Sequence, residues 1–157
     1  MAGHLPKLPA DFHNIDNSFV DIIAASWHRE YVDNMIARAI LELKNVKCTD
    51  VCIHYLPGSY ELPLAARLLF EKKPKLSAII AFGIVLEGKT NHNQSVLQEV
   101  TNGFSKVMHD FKKPIINEVI GVSCLEDAKA RSGDDNHNKG LEAVYALTEF
   151  LNWQVNL

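Results

Sequence analysis

From Leu76 to Phe111 the sequence passes from an apolar run, through a glycine-bearing turn, into a long amphipathic stretch. The apolar run, Leu76 to about Leu86, reads as a buried strand. After it, Val96, Val100, Phe104, Val107, Met108 and Phe111 recur at helical spacing, which predicts a helix over 92–111. The turn Gly88-Lys89-Thr90 therefore joins a strand end to a helix start. Backbone N–H groups at a helix start lack internal partners and carry partial positive charge, so such a turn suits an anion, often a phosphate. His92 falls on the first turn of the helix and puts an imidazole beside that seat.

The same residues satisfy a literal P-loop pattern, Gly83, four residues, then Gly88-Lys89-Thr90. A P-loop wraps phosphate with backbone amides and favours small residues between its glycines. Here the intervening residues are Ile84, Val85, Leu86 and Glu87. Three are bulky and apolar and continue a strand, and the fourth would set a carboxylate against phosphate. No later strand ends in an aspartate placed for Mg²⁺. The tighter reading confines the anion turn to Gly88-Lys89-Thr90.

The rest of the chain repeats the alternation. Phe19 to Ala25 is an apolar run and reads as a strand, with Ser26 a candidate N-cap for the helix after it. Val32, Met35, Ile36, Ala39, Ile40 and Leu43 mark that helix. Asp50 to Leu56 reads as a second strand, broken by Pro57-Gly58-Ser59, with a helix over Tyr60 to Phe70 that tolerates Pro63 in its first turn. Ile115 to Ser123 is a fourth strand, carrying Asn117 and Glu118, polar residues that need partners if buried. Leu125 to Arg131 is a short helix stopped near Gly133. A polar loop, Asp134 to His137, precedes a last helix from Lys139 to about Trp153. Strand alternating with helix gives parallel strands covered on both faces. The expected fold is an α/β, three-layer α/β/α sandwich around a four-stranded parallel sheet, flavodoxin-like in style. Residues 18–157 form one domain, large enough for a core. Residues 1–17 read as an N-terminal arm, with Pro6 and Pro9 against helix; a free tail and a strand added to a neighbour's sheet are equal readings.

Composition removes other classes. The formal net charge is −3 and no basic stripe argues for nucleic acid. No long apolar segment suggests a signal peptide or a membrane span. Cys48, Cys52 and Cys124 form no CxxC pair and fit a reducing, cytoplasmic setting. The seven histidines show neither HExxH nor zinc spacing, so no metal is expected. Ser59 lies in no Gly-x-Ser-x-Gly elbow, which argues against a serine nucleophile.

Two residues carry open readings. Trp27 comes just after the first strand, at the sheet edge where open α/β folds place ligands. It is either a core aromatic, which the residues alone favour, or a stacking surface for a planar ring. Glu61 either complements a helix dipole or accepts hydrogen bonds from ligand hydroxyls; neither is preferred.

Three blocks in order resemble the lumazine synthase family. They are Pro57-Gly58-Ser59-Tyr60-Glu61-Leu62-Pro63; Gly83-Ile84-Val85-Leu86-Glu87-Gly88-Lys89-Thr90-Asn91-His92; and Glu126 to Gly133 with Asn138-Lys139-Gly140-Leu141-Glu142-Ala143. The resemblance implies condensation of 5-amino-6-(D-ribitylamino)uracil with 3,4-dihydroxy-2-butanone 4-phosphate. The products are 6,7-dimethyl-8-ribityllumazine, phosphate and water, in riboflavin biosynthesis, with no metal or organic cofactor. It further implies that Trp27 stacks on the pyrimidine, and that Ser59, Tyr60 and Glu61 meet the ribityl chain. Val85 and Leu86 would line the pyrimidine pocket, and Gly88, Lys89 and Thr90 would hold the phosphate. Arg131 would reach that phosphate from an adjacent subunit, with Lys139 near the site, and His92 would move protons. The partners implied are the two small-molecule substrates and further copies of the chain, at least a pentamer. Departures from the family pattern fall at Asn93, Gln94 and Ser95, at Asn117 where the family brings an aromatic to the ribityl side, and in the loop Asp134 to His137. They leave a rival expectation, a divergent lumazine- or flavin-binding paralogue with weak turnover.

Overall fold

A computed structural model describes residues 12–157. Most of the expected arm, residues 1–11, lies outside the described residues. The order of elements is β1 (Val20–Ala25), α1 (Arg29–Asn45), β2 (Val51–Leu56), a 3₁₀ turn (Ser59–Glu61), α2 (Leu62–Lys72), β3 (Ala78–Leu86), α3 (His92–Phe111), β4 (Ile115–Val122), α4 (Leu125–Ser132) and α5 (Lys139–Val155). The four strands are all parallel, in the order β2-β1-β3-β4. This is the expected three-layer, flavodoxin-like arrangement.

Side-chain alternation divides the core into two layers. Val20, Ile22 and Ala24 of β1 and Ile80 and Phe82 of β3 face α1 and α5, meeting Val32, Met35, Ala39, Val144 and Leu147. Ile23 and Ala25, with Ile79 and Ala81, face α2 and α3, meeting Leu62, Ala66, Phe70, Val100 and Phe104. Both faces of β1 and β3 are covered, which is why their sequences are apolar throughout save for buried Asp21, whose carboxylate pairs with His54 and Lys73. The edge strand β2 is largely open to solvent. The layer of α1 and α5 closes to backbone contact at Gly140. A Cβ there would lie 2.0 Å from the Met35 carbonyl oxygen and 2.8 Å from the Ala39 nitrogen.

The chain leaves β1 differently from expectation. Ser26 is not the N-cap of α1; its N–H and its hydroxyl both donate to the Leu56 carbonyl, at 2.9 and 2.8 Å, and prolong the β1–β2 pairing. The cap is His28, with left-handed backbone angles (φ 53°, ψ 42°) and no capping hydrogen bond from its side chain. A left-handed conformation is uncommon for a residue with a side chain, and such residues gather where a ligand site holds the chain in place. After β2 the expected helix from Tyr60 is split. Ser59–Glu61 makes a tight turn and α2 starts at Leu62, with Pro63, lacking an N–H, in its first turn. Gly133 ends α4 in an extended conformation, not a left-handed one. The loop after it is braced by Asn138, whose Nδ2 donates to the Gly133 carbonyl and whose Oδ1 accepts from the Gly140 N–H, both at 2.8 Å. Among the described residues no helix is long and apolar enough to cross a membrane.

Candidate active site

Strand order reverses between β1 and β3, and at such a switch point the loops leaving the C-terminal strand ends part to form a crevice. Trp27 stands there with 69% of its surface exposed. It is not a core aromatic: the β1–β2 pairing ends at Ser26, and the next side chain projects beyond the sheet. Burying an indole is favourable, so one left this exposed at the sheet edge is a feature that packing within the chain does not account for.

The turn after β2 comes to the same place. A Cβ built at Gly58 would stand 3.1 Å from Glu61 Oε2, 3.7 Å from Trp27 Cδ1 and 3.8 Å from Trp27 Nε1. The indole and the carboxylate thus flank one point on the backbone, and only a glycine leaves that point open. Glu61 and Tyr60 are exposed, while Ser59 is 7% exposed and turned inward. Ser59 Oγ lies 2.7 Å from where a Cβ of residue 83 would stand. Gly83 is therefore what lets the 3₁₀ turn lie against β3, and α3 packs over the same turn.

Beyond β3 the residues Glu87 to Asn91 join the strand to α3. Val85 and Leu86 are half-buried, and Glu87 donates its N–H to the Val122 carbonyl at 2.8 Å, the last link to β4. Gly88, Lys89 and Thr90 are exposed, and a Cβ at Gly88 would meet no atom of the described residues within 4 Å. Asn91, the N-cap of α3, makes no side-chain capping bond, and no acidic residue occupies the first turn. The N–H groups of that turn are left without a side-chain acceptor, the condition for binding an anion. His92, the first residue of α3, is exposed beside them.

Asn117 lies on the α3 side of β4, exposed, with its Oδ1 accepting from the Val119 N–H at 3.1 Å. Arg131 and Lys139 do not join the Trp27–Glu61 group. They sit at the end of α4 and the start of α5, around Glu118, which points from β4 into the opposite layer. Lys139 Nζ is 3.7 Å from Glu118 Oε2 and 2.7 Å from Glu142 Oε2. Burial pushes the Glu118 carboxyl up from 4.5 to about 7; Lys139 works against this shift and Glu142 adds to it. In the sequence Glu118 stands out as a polar residue in an apolar strand, without a signal for a part in the site. Among the described residues no group of three His, Cys, Asp or Glu could hold a metal ion.

Fold and geometry together define a parallel α/β protein that exposes an indole, a carboxylate and an uncapped helix start along one sheet edge. Residues 18–154 match the model of the family described as 6,7-dimethyl-8-ribityllumazine synthase. The chain belongs to that family. It is similar to proteins of that name from Bdellovibrio bacteriovorus, 33% identical with 84% of this chain and 73% of the relative aligned, and from Stenotrophomonas maltophilia, 31% identical with 90% and 92% aligned. The same name is carried by a relative from Leuconostoc mesenteroides, 30% identical with 87% and 88% aligned.

Proposed function

We propose that this chain condenses 5-amino-6-(D-ribitylamino)uracil with 3,4-dihydroxy-2-butanone 4-phosphate to give 6,7-dimethyl-8-ribityllumazine, phosphate and water. The observation that carries the site assignment is the meeting of Trp27 and Glu61 around Gly58. The indole stacks on the pyrimidine, and the carboxylate accepts hydrogen bonds from the ribityl hydroxyls. Ser59 and Tyr60 complete the ribityl side with the Asn117 amide, while Val85 and Leu86 border the ring. Gly88, Lys89 and Thr90 seat the phosphate at the start of α3.

One reactant is an amine and the other a carbonyl compound. Attack of the amine on the ketone gives an imine and releases one water, phosphate is then eliminated, and ring closure through the ribitylamino nitrogen releases a second water. Alignment of two such partners supplies up to about 7–11 kcal/mol, so the side chains mainly position them. His92 accepts and returns protons through these steps, since an imidazole does both near neutral pH.

Arg131 and Lys139 complete the phosphate seat of a neighbouring copy, with a pentamer as the smallest assembly. Their grouping around Glu118, on the other side of β4 from Asn117, supports a shared site. The free thiols of Cys48, Cys52 and Cys124 fit work in the cytoplasm. The relatives are named as synthases, which favours turnover over a protein that only binds lumazines. Mixing the purified protein with both substrates and following lumazine absorbance with phosphate release tests the reaction. Equal yields of the two products support it, and substrates bound without either product would leave only the binding role.

A further inference from the structure

Glu118 is buried in the middle of β4, 7% exposed, and none of the reaction steps above uses it. Its neighbours in the sheet, Phe82, Ile116 and Ile120, are apolar. The charged groups acting on it come from two helices: Arg131 of α4, and Lys139 and Glu142 of α5. Lys139 Nζ lies between two carboxylates, 2.7 Å from Glu142 and 3.7 Å from Glu118. With all four side chains ionised, two positive and two negative charges cancel. With Glu118 protonated the cluster carries one surplus positive charge, and Lys139 answers to Glu142 alone.

We propose that Glu118 is a positioning residue that couples anion binding at Arg131 and Lys139 to the uptake of one proton. An arriving dianion repels the Glu118 carboxylate and favours its protonated form. That form releases Lys139 toward the anion. Ionisation of Glu118 restores the neutral cluster and helps expel free phosphate after the reaction. Burial sets the carboxyl's titration near pH 7, so the exchange works at neutral pH. The inference rests on the reading that Arg131 and Lys139 hold the substrate's phosphate.

Sulfate is the probe, because its double charge is constant between pH 6 and 8. It is titrated calorimetrically into the full-length protein, E118Q and H92N, in buffers of different ionisation enthalpy. The wild type should take up a fraction of a proton per sulfate, most near pH 7. Its Kd should tighten severalfold from pH 8 to pH 6, within the limit of about tenfold per pH unit that one proton allows. E118Q should lose this uptake and this pH dependence. H92N should keep them, which separates the carboxyl from the imidazole at the start of α3. Undiminished uptake in E118Q would overturn the inference and leave the phosphate seat standing. A wild type that binds no sulfate would overturn the seat and the inference together. If E118Q does not fold, the Glu118 carboxyl is followed by carbon NMR in the wild type. A titration midpoint raised by sulfate supports the coupling, and an unmoved one overturns it.

Discussion

Ser59 Oγ occupies the space that a side chain at residue 83 would need, 2.7 Å from the Cβ position. The site begins with this approach, because it brings the turn after β2 against the end of β3. Gly83→Ala would also press on Val119 Cγ1 at 3.3 Å. Overpacking of this kind costs about 1–3 kcal/mol. Denaturant unfolding should show that loss, with turnover falling as the turn is displaced. Adding Ser59→Ala should restore part of the stability; no recovery would place the strain elsewhere.

Gly140 meets backbone rather than a movable side chain, with the Met35 carbonyl oxygen 2.0 Å from a Cβ position. Gly140→Ala must separate α5 from α1 and open the larger core layer. A cost of about 4 kcal/mol or more is expected, at the upper end for single substitutions. Thermal melting read by circular dichroism checks it, and a melting temperature within a degree or two of wild type would refute the close packing.

Glu118 makes stability depend on pH. Its value in the folded protein, about 7, lies above the ordinary 4.5, so the folded state holds this proton more tightly than the unfolded chain does. Stability from this group is present below pH 4.5 and is lost as pH rises to about 7. The loss is about 3 kcal/mol from the size of the shift. Glu118→Gln should remove it, so the stability difference between variant and wild type should widen in the variant's favour from pH 4 to pH 8. A difference that stays flat across that range would mean the carboxyl titrates normally.

The boundaries of α3 were legible because a glycine turn and a proline enclose a strong apolar stripe, and the structure places it at His92–Phe111 as expected. The two core layers were legible from periodicity for the same reason. The exposure of Trp27 was not. An aromatic after an apolar run looks like core until the end of the β1–β2 pairing at Ser26 is known. Trp27 and Glu61 were legible as sharing one sheet edge, but not how closely they approach, since that depends on two strands lying side by side and on the missing side chain at Gly58. The left-handed His28 carried no signal, because glycine is the residue that announces such a turn. Glu118 was visible as an anomaly, but its partners come from α4 and α5, which lie later in the chain.

His92 and Arg131 should separate in steady-state kinetics. His92→Ala should lower kcat by about 10- to 100-fold without abolishing turnover, at or below the usual range for general acid–base groups, because alignment carries much of the reaction. Arg131→Ala should mainly raise KM for the butanone phosphate. Full activity of His92→Ala across pH 6–8 would exclude the proton-transfer role.

The central claim is that Trp27 and Glu61 hold the ribitylaminouracil at one sheet edge while the turn before α3 holds the phosphate. Steady-state kinetics of lumazine formation on wild type and Glu61→Gln, varying each substrate in turn, tests it most directly. Lumazine is expected from the wild type and, in the variant, a KM for the ribitylaminouracil raised at least tenfold with that for the butanone phosphate unchanged. A folded wild type that forms no lumazine, or a Glu61→Gln variant with wild-type KM for both substrates, would contradict it.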